Sequence, residues 1–497
     1  MCLGLGMHDW LERWSTYSPS AVAVTNAETG ERWTYAWLYQ ASCRLADALE
    51  GWGAQRGDRV AVLAGSEAEY FPLFFALQRL GAILVPLNFR LAPRELDHIL
   101  SDCRPSLLLV HRDFAPAAAA LTRAPVVRVD FEAVRAVLAD EARPTRRRAF
   151  ATGFEDASMV LYTSGTTGAA KGAIITPKMM FWNSVSTGLR LDLTHDDVAL
   201  SFLPFFHTSG WHVLNTPLFH RGARVVFVKK FEAERVLRLC DQEGVTILFG
   251  VPTTLDMMAR TTAFSEVTLA TVRYAIVGGE PMPLELIRTW EARHVPIRQG
   301  FGLTEFGPNV FSLNAEDSQR KMGSIGFPNF YIETRVVSDD GHEVEGEAVG
   351  ELWLKGPACT KGYWENPTAT RQAIHDGWFA TGDLVRRDSE GFFYVAGRKK
   401  DMFISGGENV YPVEIERFLS THPKVREVAV IGVPDETWGE VGKVFVAPVA
   451  GASLTADEVL AFCQGQLARY KIPKHVEVLA ELPKGDSGKI LKRALKR

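Results

Sequence analysis

Between Tyr162 and Gly172 the chain reads Tyr-Thr-Ser-Gly-Thr-Thr-Gly-Ala-Ala-Lys-Gly. Glycine lets a backbone turn tightly, and the hydroxyls of Thr163, Ser164, Thr166 and Thr167 join backbone N–H groups as donors to phosphate oxygens. Lys171 adds a cation. The chemistry this predicts is nucleotide-phosphate binding on a loop that follows a β-like run, Met159 to Leu161. The loop is not a Walker A sequence, because position 170 is Ala and Lys171 is followed by Gly172 in place of Ser or Thr. A Gly/Ser/Thr-rich turn is also an ordinary connection, so residues elsewhere must decide. Two other clusters invite chemistry and lack its requirements. Gly485-Asp-Ser-Gly488 resembles a serine-protease nucleophile, but it sits in a basic tail with Lys489 where a further Gly is needed. His207, His212 and His220 have no Cys or Glu at ligand spacing and no His-Glu-x-x-His.

The elements that must hold such a loop follow from the hydrophobic pattern. Short apolar runs (Val60 to Leu63, Ala82 to Val85, Leu107 to Val110) alternate with helix-length segments (Glu67 to Arg79, Pro93 to Ser101), the rhythm of a parallel sheet with crossover helices. A second series, Val198 to Phe202, Arg224 to Val228, Ile247 to Phe249 and Tyr274 to Val277, is separated by helical runs such as Glu232 to Glu243. Between Gly323 and Phe393 short β-like runs predict a small β subdomain, and Gly397 to Asp401 joins it to renewed αβ pattern. The expected fold is α/β: a large N-terminal domain of two αβ-sheet lobes plus a small β subdomain, then a small C-terminal α+β domain.

The 497 residues suffice for several cores, with 46% hydrophobic and 23% charged residues, which excludes disorder, collagen and coiled coil. Lys plus Arg number 55 against 59 Asp plus Glu, so no overall basic excess favours nucleic acid as a partner. The segment 471–497 is locally basic, as a solvated terminal helix would be. Six scattered cysteines form no Cys-x-x-Cys pair, and Asp9 and Glu12 interrupt what an export signal would keep apolar. A cytoplasmic location is expected. Tyr70 to Leu87 is broken by Pro72, Gln78, Arg79 and Gly81, and reads as a buried helix and strand, so no transmembrane segment is expected.

The loop at Tyr162 to Gly172 resembles the signature of the adenylate-forming superfamily of acyl-CoA synthetases, nonribosomal-peptide adenylation domains and luciferases. Further segments match in the family's order: Leu203-Pro-Phe-Phe-His207, Gln299-Gly-Phe-Gly-Leu-Thr-Glu305, Thr381-Gly-Asp383, Gly397-Arg-Lys-Lys-Asp401, Ser405-Gly-Gly-Glu-Asn-Val-Tyr-Pro412 and Pro483-Lys-Gly-Asp-Ser-Gly-Lys489. The resemblance spans most of the chain. It implies an N-terminal adenylation domain over 1–397, a hinge at 398–400 and a mobile C-terminal domain over 401–497.

The resemblance also implies roles, each with a physical reason. Joining a carboxylate to ATP brings two anions together, so the site must supply positive charge and oriented donors. Lys489 is expected to bridge the substrate carboxylate and the α-phosphate, as a flexible ammonium can. Thr304 would contact phosphate and Glu305 would hold Mg²⁺, since carboxylate oxygen suits a small hard cation. ATP contacts are implied at Thr163, Ser164, Gly165, Thr166, Thr167, Gly168, Lys171, Gly279, Glu280, Gly300, Phe301 and Gly302. Asp383 would accept hydrogen bonds from the ribose, assisted by Arg398. Phe301, where the family usually has Tyr, can stack on adenine without a phenol hydroxyl, and Ala170 replaces the frequent Pro. Lys400 matches the hinge, and Ser405, Gly406, Gly407 and Glu408 would line the approach of the CoA thiol. His207, Trp211 and Gly278 match the acyl pocket. Trp211 reads equally as a gate to an acyl tunnel or as core packing.

The activity implied is ATP-dependent acyl-CoA ligation: acyl adenylate plus pyrophosphate first, then thioester plus AMP, with ATP, Mg²⁺ and CoA required. Trp211, Phe181, Trp182, Phe205 and Phe206 favour a hydrophobic acid, medium- or long-chain fatty acids first, with benzoate or hydroxycinnamate as the alternative. An amino-acid adenylation domain serving a carrier protein is the further alternative, although His207 stands where such relatives carry Asp. A fatty substrate is compatible with peripheral contact at a membrane surface, and a dimer is among the oligomeric states left open.

Overall fold

The computed structural model describes residues 8–123, 127–163, 170–279, 281–344, 346–406, 408–485 and 490–496. They group into two compact units, one holding residues up to Thr334 together with Leu354–Phe379, the other Arg335–Trp353 and Ala380 onward. In the first unit β1 (Val22–Asn26) and β2 (Arg32–Thr34) precede β3 (Arg59–Leu63), β4 (Ile83–Pro86), β5 (Leu107–Val110), β6 (Val127–Asp130), β7 (Met159–Thr163) and β8 (Lys171–Ile175). The last six form one sheet in the order β6-β5-β3-β4-β7-β8, parallel except for the β7–β8 hairpin. Val60 of β3 faces Leu84 on one side and Leu107 on the other, so the apolar runs that predicted strands pair with each other.

A second sheet takes β9 (Val198–Ser201), β10 (Arg224–Phe227), β11 (Ile247–Gly250), β12 (Tyr274–Val277), β13 (Ile297–Phe301), β14 (Phe311–Ser312) and β15 (Ser324–Pro328). Its order within this unit is β2-β1-β10-β9-β11-β12-β13-β14-β15, with β1, β9, β10, β11, β12 and β13 mutually parallel. The two αβ lobes expected from the sequence are these two sheets. Sheets covered on both faces need apolar strands throughout, which explains runs such as Leu107–Val110 and Tyr274–Val277.

The helix Tyr70–Leu80 is buried along its whole length and ends at Gly81, whose φ of 75° suits a residue without Cβ. Its aromatic rings join a core reaching from Phe71 and Phe74 to Phe205, Trp211, Phe219 and Phe227, so one apolar mass lies against strands of both sheets. The same helix carries Arg79, whose Nη1 lies 2.7 Å from Asp9 Oδ2 with both side chains wholly buried. Ser42 Oγ accepts from Nε at 2.7 Å, and the Tyr39 ring lies 4.4 Å from the guanidinium carbon. Asp9 also accepts from the Glu12 N–H and so caps the helix Trp10–Tyr17.

The β-rich stretch expected between Gly323 and Phe393 carries the strands Ser324–Pro328, Glu333–Val337, Val349–Lys355 and Trp378–Arg387. Its residues are divided between the two units, and the helix Pro367–Ala373 interrupts it, started by the Asn366 side chain accepting from the Ala369 N–H. In the second unit a sheet runs Glu408–Val410, Phe403–Ser405, Gly439–Pro448, Val425–Asp435, with His475–Val478 added parallel to Gly439–Pro448. The helices Pro412–Leu419 and Ala456–Cys463 pack Ile415, Leu419, Val459 and Cys463 against Phe403, Val430 and Val444, giving the α+β pattern expected of the C-terminal part. Among the described residues no helix is long and apolar enough to cross a membrane. Asp9→Ala leaves a buried guanidinium without its counter-charge and is expected to cost about 3–5 kcal/mol of stability, read as a lowered denaturation midpoint. The double variant Asp9→Ala, Arg79→Met is expected to recover part of that loss.

Candidate active site

Parallel strands deliver their outgoing loops to one edge, and ligands of open α/β sheets bind beyond the strands' carboxyl ends. In the first unit β7 ends at Thr163, β9 leads into Leu203 to His207, β12 into Gly278 and Gly279, and β13 into Phe301 and Gly302. Lys171 opens β8 across the hairpin from Thr163. Ser164, Gly165, Thr166, Thr167 and Gly168 lie outside the described residues, as do Glu280, Gly407 and Lys489.

After β13 the chain makes a 3-10 turn, Thr304–Phe306. Gly302 is a necessary glycine, because a Cβ there would overlap the backbone of Pro308. Gly278 approaches Gly300 closely enough that an added Cβ would lie 3.7 Å from the Gly300 carbonyl oxygen, and Gly279 takes φ 91°. Phe301 is half-buried, its ring edge-on to Phe311 at 5.9 Å. Thr304 is buried, while the Glu305 side chain is half-buried and its Oε1 accepts the Tyr363 hydroxyl at 3.0 Å. The Glu305 carbonyl oxygen accepts from the Thr360 N–H at 2.8 Å. Lys171 Nζ lies 5.3 Å from the centre of the Tyr363 ring. Burial and the neighbouring Glu305 charge push the Cys359 thiol up to about 12, so it is an inert thiol at neutral pH. Tyr363 thus touches both Glu305 and Lys171.

His207 is exposed, with Nδ1 2.7 Å from Ser209 Oγ. Trp211 is 1% exposed, donates from Nε1 to the Phe205 carbonyl at 2.6 Å and packs against Tyr70, Phe71, Phe74 and Phe205. Of the two readings of Trp211, its surroundings are those of a core side chain. Burial pushes His212 down to about 3, and burial together with Arg221 pushes His220 down to about 4, so both are neutral at pH 7. The three histidines do not converge: His212 Nδ1 meets Thr216 Oγ1, and His220 stacks on Trp10 at 4.1 Å.

In the second unit Asp383 and Arg398 are register partners on antiparallel strands Trp378–Arg387 and Phe393–Arg398, with Nε 2.7 Å from Oδ1. Asp383 is 3% exposed. The Thr381 hydroxyl accepts from the Asp383 N–H at 3.0 Å and donates to the Leu352 carbonyl, fixing the turn at Gly382, whose φ is 71°. Lys400 is exposed in the 3-10 turn Lys399–Asp401. Ser405 is buried, Glu408 is exposed, and the Gly406 N–H donates to the Trp438 carbonyl at 2.9 Å.

Sequence reasoning missed Tyr363, Thr360 and Glu351. Glu351 accepts from the Gly382 N–H at 3.0 Å and pairs with Lys399 at 3.3 Å. Nothing in the spacing ties Tyr363 to Glu305, 58 residues away, because a side-chain hydrogen bond between distant segments makes that contact. The only local signal was the Gly-Tyr pair at Gly362 and Tyr363 just ahead of the Asn366-Pro367 helix start.

This arrangement offers a carboxylate and a cation near strand ends in one unit, and a buried carboxylate–guanidinium pair in the other. The sequence pattern of AMP-binding enzymes matches residues 11–364, and that of the AMP-binding enzyme C-terminal domain matches 414–489. The chain therefore belongs to the AMP-binding enzyme family, and it is an acid–thiol ligase of that family. It is 39% identical over 492 residues to a feruloyl-CoA synthase of an Amycolatopsis species, covering 99% of both chains. It is 37% identical over 498 residues to the long-chain-fatty-acid–CoA ligase FadD13 of Mycobacterium tuberculosis, covering 98% of this chain and 97% of that one. The structure of o-succinylbenzoate coenzyme A synthetase from Bacillus subtilis in complex with ATP and magnesium ion superposes with a TM-score of 0.89 at 32% identity, covering 98% of this chain and 99% of that one. Gly302→Ala forces Leu303 to Pro308 to shift and is expected to cost about 1–3 kcal/mol, measured as a lowered unfolding midpoint.

Proposed function

We propose that the chain activates a compact hydrophobic carboxylic acid, of the aryl or arylalkenyl class, in two steps: ATP and acid give acyl adenylate and pyrophosphate, then the CoA thiol gives acyl-CoA and AMP. Acyl-CoA ligation as such is the activity of the relatives matched along nearly the full length. The observation that supports the substrate class is the dense aromatic packing just after the Leu203 to His207 segment, where Trp211 is buried among Phe205, Tyr70 and Phe74. The similarity to a feruloyl-CoA synthase supports it. Medium- or long-chain fatty acids are the second reading, favoured by the similarity to FadD13.

In this reading the nucleotide phosphates lie against the loop from Thr163 to Gly168 and Lys171, beside Thr304, and adenine lies along Gly279, Glu280, Gly300, Phe301 and Gly302. Glu305 fits Mg²⁺: it offers a hard carboxylate oxygen at a half-buried position, and the Tyr363 hydroxyl bonded to its other oxygen is neutral. When bound there, the ion neutralises charge on the departing phosphates. Asp383, held by Arg398 and by the Thr381 turn, receives the ribose hydroxyls. Lys489 supplies positive charge between the acid and the α-phosphate, so that charge developing on the transferred phosphoryl group meets a donor. Residues 398–400 serve as the hinge between 1–397 and 401–497, supported by the exposed 3-10 turn that holds Lys400. Its rotation withdraws Lys489 and brings Ser405 to Glu408 to the path of the CoA thiol.

The test is mass spectrometry of products from purified protein with MgATP, CoA and matched panels of cinnamic, benzoic, arylacetic, fatty and amino acids. Equal amounts of acyl-CoA and AMP from aryl acids, with little from chains of twelve carbons or more, are expected. Preference for the long chains would replace this reading with the second. Lys489→Ala is expected to slow adenylate formation about 100-fold or more while leaving thioester formation from supplied adenylate much less affected. Equal slowing of both steps would remove Lys489 from its role.

A further inference from the structure

The segment from Thr360 to Trp364 lies along β8 as an added edge. The Trp364 N–H donates to the Gly172 carbonyl at 2.7 Å, the Ile174 N–H to the Gly362 carbonyl at 3.1 Å, and the Thr360 hydroxyl to the Ile174 carbonyl at 2.7 Å. Ala173 and Tyr363 are bridge partners, and the Tyr363 N–H donates to Thr370 Oγ1 at 3.0 Å. Gly362 takes φ 128°, and a Cβ there would overlap the Thr370 side chain, so glycine is needed beside Tyr363. A side chain carried on such a pinned edge can hold other groups in place.

Two groups of opposite charge meet that side chain at different ends. The ammonium of Lys171 lies over the ring face, and the Glu305 carboxylate is at the hydroxyl. An ammonium is attracted to a ring face, and a phenol hydroxyl gives a carboxylate a hydrogen bond without cancelling its charge. A direct Lys171–Glu305 ion pair would instead neutralise the two groups that must face a polyphosphate and its cation. Resting on the ligase reading above, we propose that Tyr363 is a positioning residue that separates Lys171 from Glu305 and occupies one oxygen of Glu305, so that the ammonium is presented to phosphate and the second carboxylate oxygen to Mg²⁺.

The experiment is calorimetric titration of the full chain with ATP, in excess MgCl₂ and in excess EDTA, for the native protein, Tyr363→Phe and Tyr363→Ala, with melting curves confirming that each variant is folded. The ratio of the two affinities reads how much the cation contributes. Tyr363→Phe keeps the ring and removes the hydroxyl, and the ratio is expected to fall about tenfold. Tyr363→Ala also removes the spacer, and ATP affinity in EDTA is expected to fall about fivefold as Lys171 turns to Glu305. In a Glu305→Gln background Tyr363→Phe should lower the ratio no further. A Tyr363→Phe ratio equal to the native one, or EDTA affinity retained in Tyr363→Ala, overturns the positioning role. A native chain that binds no ATP under either condition overturns the ligase reading along with it.

Discussion

Parallel pairing is the constraint on which the rest of this structure depends. A parallel strand can be followed only by a connection that returns the chain to the starting edge, so β9, β11, β12 and β13 all discharge their loops at the same edge. His207, Gly278, Gly300 and Thr304, spread over nearly one hundred residues of sequence, therefore emerge side by side. Backbone room comes from glycine where the chain passes closest to itself, as at Gly302 against Pro308. The hairpin β7–β8 is the exception in the first sheet, and it turns the strand end at Thr163 back to Lys171.

Charge is handled differently in the two units. In the second, the nearly buried Asp383 is compensated by a guanidinium in direct contact. In the first, the half-buried Glu305 carboxylate accepts the Tyr363 hydroxyl while the Lys171 ammonium lies over the ring of that same residue, so an aromatic side chain stands where the second unit has a direct ion pair.

Much of this was legible in the sequence. Strands with both faces buried announce themselves as continuous apolar runs, and Leu107–Val110 and Tyr274–Val277 lie where those runs lie. The β-rich segment after Gly323 is legible in the same way, whereas its one short helix is marked only by the Asn366-Pro367 start. The positions proposed for phosphate, acid and ribose came from ordered motifs. Tyr363 and Glu351 did not, since a hydroxyl on a carboxylate 58 residues away leaves no periodicity to read. Trp211 shows the same limit: an aromatic residue after His207 suits a pocket wall and a core equally, and only the rings of Tyr70, Phe71 and Phe74 around it distinguish them.

That packing has an evolutionary consequence. The helix Tyr70–Leu80 supplies the rings behind Trp211 and also the buried arginine that ties down the start of the chain. Trimming these aromatics removes mass from the core that lies against strands of both sheets. A lineage that changes Tyr70, Phe71 or Phe74 must therefore first acquire compensating stability elsewhere.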